Sequence, residues 1–169
     1  MSISQPLKIA LLALVLIGCS PLHGYRQVNN HDGYLYTEEL PLELANFSID
    51  VHFKEAYFEQ ERSPLFALNM QGQKDGENLI VLVLVREKDS LVFVQTLFLE
   101  NAKQAVFSTV AENLPLKEKL VINFRECANG RCYISVNGGP EFERMIPHDL
   151  RLLKISASNS KLHYRVSPN

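Results

Sequence analysis

The sequence predicts an all-β domain, an antiparallel two-sheet β-sandwich with about 9–10 strands and little helix. Three observations predict it. Short apolar or alternating runs recur with turn signals at roughly 8–12-residue spacing, helical periodicity is nearly absent, and 169 residues with 46% hydrophobic content can close one core. A parallel α/β sheet would need crossover helices between its strands, and the sequence supplies none.

The first element is not a strand. One cation, Lys8, precedes the apolar run Ile9 to Ile17, and Gly18-Cys19-Ser20 follows. About 10 apolar residues make a helix of ~15 Å, half of a ~30 Å hydrocarbon layer, so residues 1–18 read as a signal peptide and not as a permanent span. Pro21, Gly24, Asn29, Asn30, His31 and Asp32 then mark residues 19–32 as a flexible tether, up to ~45 Å long if fully extended. The β-sandwich domain is expected over residues 33–169, starting at Gly33.

Phe47 to Lys54 alternates strictly, which places Phe47, Ile49, Val51 and Phe53 on one face and Asp50, His52 and Lys54 on the other. Leu65 to Met70 is a second strand, closed by the polar turn from Gln71 to Gly76. Leu79 to Val85 and Leu91 to Leu99 are almost wholly apolar and are joined by Arg86-Glu87-Lys88-Asp89-Ser90, so they are expected as central strands buried on both sides. Ala105 to Val110, Lys119 to Arg125, Cys132 to Val136, Leu150 to Ala157 and Lys161 to Val166 complete the set. Only Glu55 to Arg62 and Ala111 to Lys117 could hold a short turn of helix.

The four residues Leu16-Ile17-Gly18-Cys19 resemble the lipobox of bacterial lipoproteins. The resemblance implies lipidation of the Cys19 thiol, cleavage before it, and a membrane partner reached through several acyl chains, which together do not readily leave a bilayer. Ser20 stands where an aspartate commonly favours inner-membrane retention, so the same resemblance implies the outer membrane, with the domain facing the periplasm. Cys127 and Cys132 are then the remaining thiols of an oxidising compartment, and a disulfide is expected between them. A type I′ turn at Asn129-Gly130 would set the two cysteines opposite one another but would misalign Phe124 and Ile134. A bulge near Arg125-Glu126 satisfies both; a three-residue turn would align the apolar faces and separate the sulfurs.

The strand order from Phe47 to Val166, with its late strand-turn-strand ending in Val136-Asn137-Gly138-Gly139 and Leu152 to Ala157 as closing strand, resembles the concanavalin A-like and laminin G-like jelly rolls. That resemblance implies a non-catalytic binding or structural module with an envelope protein or glycan as partner, or alternatively a carbohydrate-binding or glycoside-hydrolysing domain. Hydrolysis needs two carboxylates ~5–9 Å apart across the scissile bond. Glu38-Glu39, Glu55, Glu59-Gln60-Glu61 and Glu141 with Glu143 are the acidic clusters, and none reproduces the Glu-x-Asp-x-x-Glu pattern of the laminarinase-like members. No catalytic residue, metal or cofactor is therefore expected. His23, His31, His52, His148 and His163 show no ligand spacing, and His52 is expected as an exposed strand histidine. With 17 Lys+Arg against 19 Asp+Glu the chain has no phosphate-tracking surface, so no nucleic acid is expected. Tyr25, Tyr34, Tyr36, Tyr57 and Phe58 are candidates to seal the sandwich edges or to offer ring faces to a ligand.

Overall fold

The computed structural model describes residues 24–30, 35–41, 45–58, 63–72, 77–87, 89, 91–100 and 104–169, with backbone only at 93, 98, 100 and 104–106. The leader 1–18 and Cys19 lie outside the described residues. Strict alternation in the sequence becomes two antiparallel six-stranded sheets packed face to face. The first sheet orders β1 (Arg26–Asn30), β12 (Ser160–Pro168), β3 (Phe47–Ala56), β8 (Leu120–Ala128), β9 (Arg131–Val136) and β10 (Phe142–Met145). The second orders β2 (Tyr36–Pro41), β11 (Leu152–Ser158), β4 (Leu65–Gln71), β5 (Asn78–Val85), β6 (Leu91–Glu100) and β7 (Gln104–Pro115). No helix among the described residues is long and apolar enough to cross a membrane.

The core lies between the sheets. Phe47, Ile49, Val51 and Phe53 of β3 are buried against Phe66, Leu68 and Met70 of β4 and Leu79, Val81 and Val83 of β5. Phe47 and Phe124 face each other across β3 and β8, with ring centroids 4.5 Å apart and planes within 7°. Burying a Phe side chain is worth about 1.5–3 kcal/mol, so this stacked pair anchors the middle of the first sheet.

Four expectations need correction. Arg26–Asn30, expected within a flexible tether, pairs along β12 as strand β1, with Val28 buried opposite Leu162. A polar segment with one apolar side chain suffices at a sheet edge, where one face needs cover and one row of hydrogen bonds is made. Twelve strands stand among the described residues, the additional ones being the edge strands β1 and β10 and the equally polar β2. The helical turn allowed at Ala111 to Lys117 is instead the bulged end of β7, where Asn113 has φ of 59° and Leu114 pairs with Val92. In the other candidate turn, Glu55 and Ala56 extend β3, while 59–62 lie outside the described residues. Finally, β5 and β6 are interior strands of their sheet but are covered on one side only among the described residues.

The two open edges of the sandwich are each closed by an arginine. At one, Arg26 on β1 pairs with Glu38 on β2, and the Tyr164 hydroxyl of β12 donates to the same carboxylate. The Tyr36 hydroxyl lies 3.2 Å from that of Tyr164. Burial, and then the hydrogen bond with Tyr36, push the Tyr164 phenol well above its usual range. At the other edge, Arg144 Nε on β10 donates to Thr96 Oγ1 on β6 at 2.7 Å, and burial holds the guanidinium below its ordinary value.

Cys127 and Cys132 form a disulfide across the β8–β9 hairpin. Asn129 and Gly130 both have positive φ, 54° and 82°, which is a type I′ turn closed by Ala128 and Arg131. Phe124 nevertheless pairs with Ile134, because the register shifts between Arg125 and Ala128 and Glu126 takes φ of 53°. The bulge reconciles a two-residue turn with an apolar inner face. Gly130 is required twice over: its φ is left-handed, and an added Cβ would lie 2.6 Å from the His148 ring.

Candidate functional site

The recess at one end of the sandwich, lined by Phe53, Val92, Leu114, Lys119 and Asn137, holds about 10 Å3, room for a single water. The outward faces of the two sheets are the broad surfaces of the described residues, and these differ in kind.

The outward face of the first sheet is polar because alternation along β3 and β12 sends Ser48, Asp50 and His52, and His163, Arg165 and Ser167, away from the core. Antiparallel register then makes rows: His52 stands opposite His163, Asp50 opposite Arg165, and Ser48 opposite Ser167. Asp50 is 5% exposed although it points outward, because its neighbours cover it. Arg165 Nη2 donates to Asp50 Oδ2 at 2.7 Å, the Tyr25 hydroxyl at 3.2 Å and Lys119 Nζ at 3.4 Å. All three use Oδ2, and Oδ1 has no donor among the described residues. The Arg165 guanidinium lies 4.7 Å from the centroid of the Tyr25 ring, and its Nε has no acceptor among the described residues. Tyr25 itself is 54% exposed. One row along, Lys54 Nζ is 3.1 Å from His52 Nδ1.

A second polar group stands toward the far edge of the same face. Arg125 of β8 donates to Glu141 at 2.6 Å and lies 5.5 Å from the Tyr133 ring of β9. Between the two groups the row Ser48–Asn123–Ser135 carries small side chains with donors and acceptors. The face thus presents two arginine–tyrosine pairs separated by a shallow polar strip.

The outward face of the second sheet is the opposite. Ile80, Leu82 and Leu84 of β5 and Leu91, Leu97 and Leu99 of β6 are half-buried, and Phe107 of β7, paired with Leu97, is 62% exposed. Ala67, Asn69, Asn78, Gln95 and Thr109 fill the other outward positions at the middle of β4 to β7 and are not ionisable, whereas Glu112 stands exposed toward the end of β7. The described charges of this face stand away from its centre, at Glu112 near the end of β7 and on the other flank, where Lys154 of β11 lies 3.5 Å from Glu39 of β2.

The sequence-predicted candidates are scattered and not gathered. Tyr36 and Glu38 close the inter-sheet edge, Glu55 pairs with Lys161 at 3.0 Å, and the Tyr57 hydroxyl donates to Glu55 at 3.1 Å. Phe58 packs against the core, and His148 covers the hairpin tip. His23, His31, Tyr34, Glu59 and Glu61 lie outside the described residues. Glu141 and Glu143 share the outward face of the first sheet at its edge, where both are exposed and Glu141 is bound to Arg125. Among the described residues no three His, Cys, Asp or Glu side chains are arranged to hold a metal. Sequence reading placed Asp50 and His52 on the polar face but missed Arg165 and Lys119, because only the folded strand order brings positions 119 and 165 to position 50. The alternation of His163 and Arg165 with Leu162, Tyr164 and Val166 was the available signal.

No protein-family model matches the chain, and no curated protein matches it in sequence. Solved structures do match in fold. An alginate lyase from Pseudomonas aeruginosa superposes with a TM-score of 0.52 at 18% identity over 73% of this chain, which spans 64% of the lyase chain. A tetrameric galectin from the ball sponge Cinachyrella gives 0.52 at 10% identity, covering 80% of this chain and 99% of the galectin. A carbohydrate-binding module from Bacillus subtilis gives 0.50 at 14% identity, covering 87% and 97%. These likenesses establish the architecture, a two-sheet jelly-roll β-sandwich.

Proposed function

We propose that this protein is a non-catalytic glycan-binding module of the cell envelope, anchored through lipidated Cys19, with its ligand seated on the outward face of the first sheet. The observation that carries the reading is Asp50: a carboxylate sunk into an open sheet face, oriented by Arg165, Tyr25 and Lys119, with Oδ1 left to accept. Sugars are recognised by fixed acceptors and donors beside an aromatic ring, and the orienting contacts remove the entropy cost of arranging them on binding. Around Asp50, Arg165, Lys119 and Lys54 outnumber the carboxylate, so acidic glycans are favoured over neutral ones. Carbohydrate-binding or carbohydrate-cleaving proteins on the same architecture support the choice of ligand class.

The anchor rests on the lipobox residues Leu16-Ile17-Gly18-Cys19. Since β1 starts at Arg26, the chain from Cys19 to the sheet spans about 25 Å at most, and the domain is held close to the headgroups. Two measurements test the proposal. Cys19→Ser should move the protein from the membrane to the soluble fraction and remove the acyl mass; retention without acyl mass contradicts the anchor. Calorimetric titration with acidic envelope polysaccharide should give saturable binding that Asp50→Asn and Tyr25→Ala each weaken about tenfold or more. Equal binding by wild type and both variants contradicts the site, and release of shortened glycan contradicts the non-catalytic reading.

A further inference from the structure

We infer that the outward face of the second sheet is a docking surface for a second copy of this chain, giving a back-to-back dimer of sandwiches. The face is built from Ile80, Leu82, Leu97 and Leu99 at its centre, with Phe107 protruding at 62% exposure. A patch of this size and uniformity is not the ordinary scatter of surface hydrophobes. Three properties identify the occupant. The first is charge: a partner bringing ionised groups would lose their hydration against a centre where no described side chain offers a counter-charge, whereas a second copy brings the same uncharged centre.

The second property is area. Four strands at about 4.8 Å and seven residues at about 3.4 Å outline roughly 450 Å2. Two stacked copies would bury about 900 Å2 before side-chain relief is added, close to the roughly 1,000 Å2 of a specific interface. The third is shape. A two-fold axis lying in the interface, parallel to the strands and midway between β5 and β6, sets β7 of each copy over β4 of the other. The protruding Phe107 then meets the shallow row of Ala67 and Asn69, and Ile80 meets Leu97. Flat sheets stack in this way at about 10 Å, whereas a flat sheet would have to displace headgroups along its whole width to reach acyl chains. The dimer leaves both polar faces outward on opposite sides, so one dimer could hold two segments of a polymer.

The inference is independent of the glycan reading, and its test reads association alone. With p-benzoylphenylalanine in place of Phe107 in the full chain, irradiation of intact envelopes should give an adduct of twice the protein's mass, cross-linked to the peptide 65–71. The same reagent in place of Glu143, on the other sheet, should give none. Adding Leu97→Lys should lower the yield at position 107 about tenfold while the far-UV circular dichroism stays unchanged. An adduct to another protein, an adduct to lipid, no adduct, or a yield unaffected by Leu97→Lys would each overturn the inference.

Discussion

Arg165 donates to Asp50 at 2.7 Å from the neighbouring strand, 115 positions away in sequence, while the Tyr25 ring covers its guanidinium at 4.7 Å. The carboxylate is enclosed at 7% side-chain exposure, yet Arg165 is 35% and Lys119 51% exposed. The pair is thus half in water, and its electrostatic worth is correspondingly screened.

Asp50→Ala should therefore cost about 1–3 kcal/mol, the range for a hydrogen-bonded charged group, and not the larger penalty of a fully buried pair. Urea unfolding gives the value. A change below a few tenths would mean that the three donors find water as readily as they find Asp50.

Phe47→Ala removes one ring of the stacked pair in the middle of the core. A loss of about 3–5 kcal/mol is expected, because Phe124 keeps its place in the strand register and leaves a cavity. The midpoint of chemical unfolding measures it, and a loss under 1 kcal/mol would contradict the placement of these rings.

The hairpin separates two kinds of local stabilisation. Replacing both Cys127 and Cys132 by Ser opens a loop of only a few residues and should cost about 2 kcal/mol in the chain-entropy model, with the fold retained. Gly130→Ala meets both a left-handed backbone and the His148 ring, and it should cost about 1–3 kcal/mol with the disulfide intact. Thermal unfolding of the two variants distinguishes them, since reductant should lower the midpoint further for Gly130→Ala and leave the Ser variant unchanged.

The raised Tyr164 phenol makes a pH prediction with a definite sign. In the unfolded chain tyrosine ionises near pH ~10, while in the fold it stays protonated to higher pH. The stabilisation is fully present below pH ~10 and is lost as pH rises above that value toward the folded pKa. Wild type should lose stability across this alkaline window more steeply than Tyr164→Phe. Parallel curves for the two proteins would contradict the burial of the hydroxyl.

How much of this was legible follows from which signals are local. The alternation of Phe47, Ile49, Val51 and Phe53 announced β3 and its inward face, and the apolar requirement that Phe124 meet Ile134 pointed to a bulge beside Cys127. Edge strands were invisible, because Arg26–Asn30 needs a single buried valine and its pairing partner is more than a hundred residues away. The runs in β5 and β6 misled in the other direction. Composition cannot say whether a second layer covers an apolar strand, and here the apolar outward residues remain open among the described residues. The polar site was half legible: Asp50 and His52 fall on one face by period alone, but the arrival of Arg165, Lys119 and Tyr25 depends on the order β1-β12-β3-β8.

The most direct test of glycan binding on the first sheet is a heteronuclear NMR titration of the folded domain with acidic envelope oligosaccharide, followed at the backbone amides. The account predicts shifts concentrated at Asp50, His52, His163, Arg165 and the β1 start beside Tyr25, with β5 and β6 unmoved. Shifts confined to the second sheet, or none at saturating oligosaccharide, would contradict it.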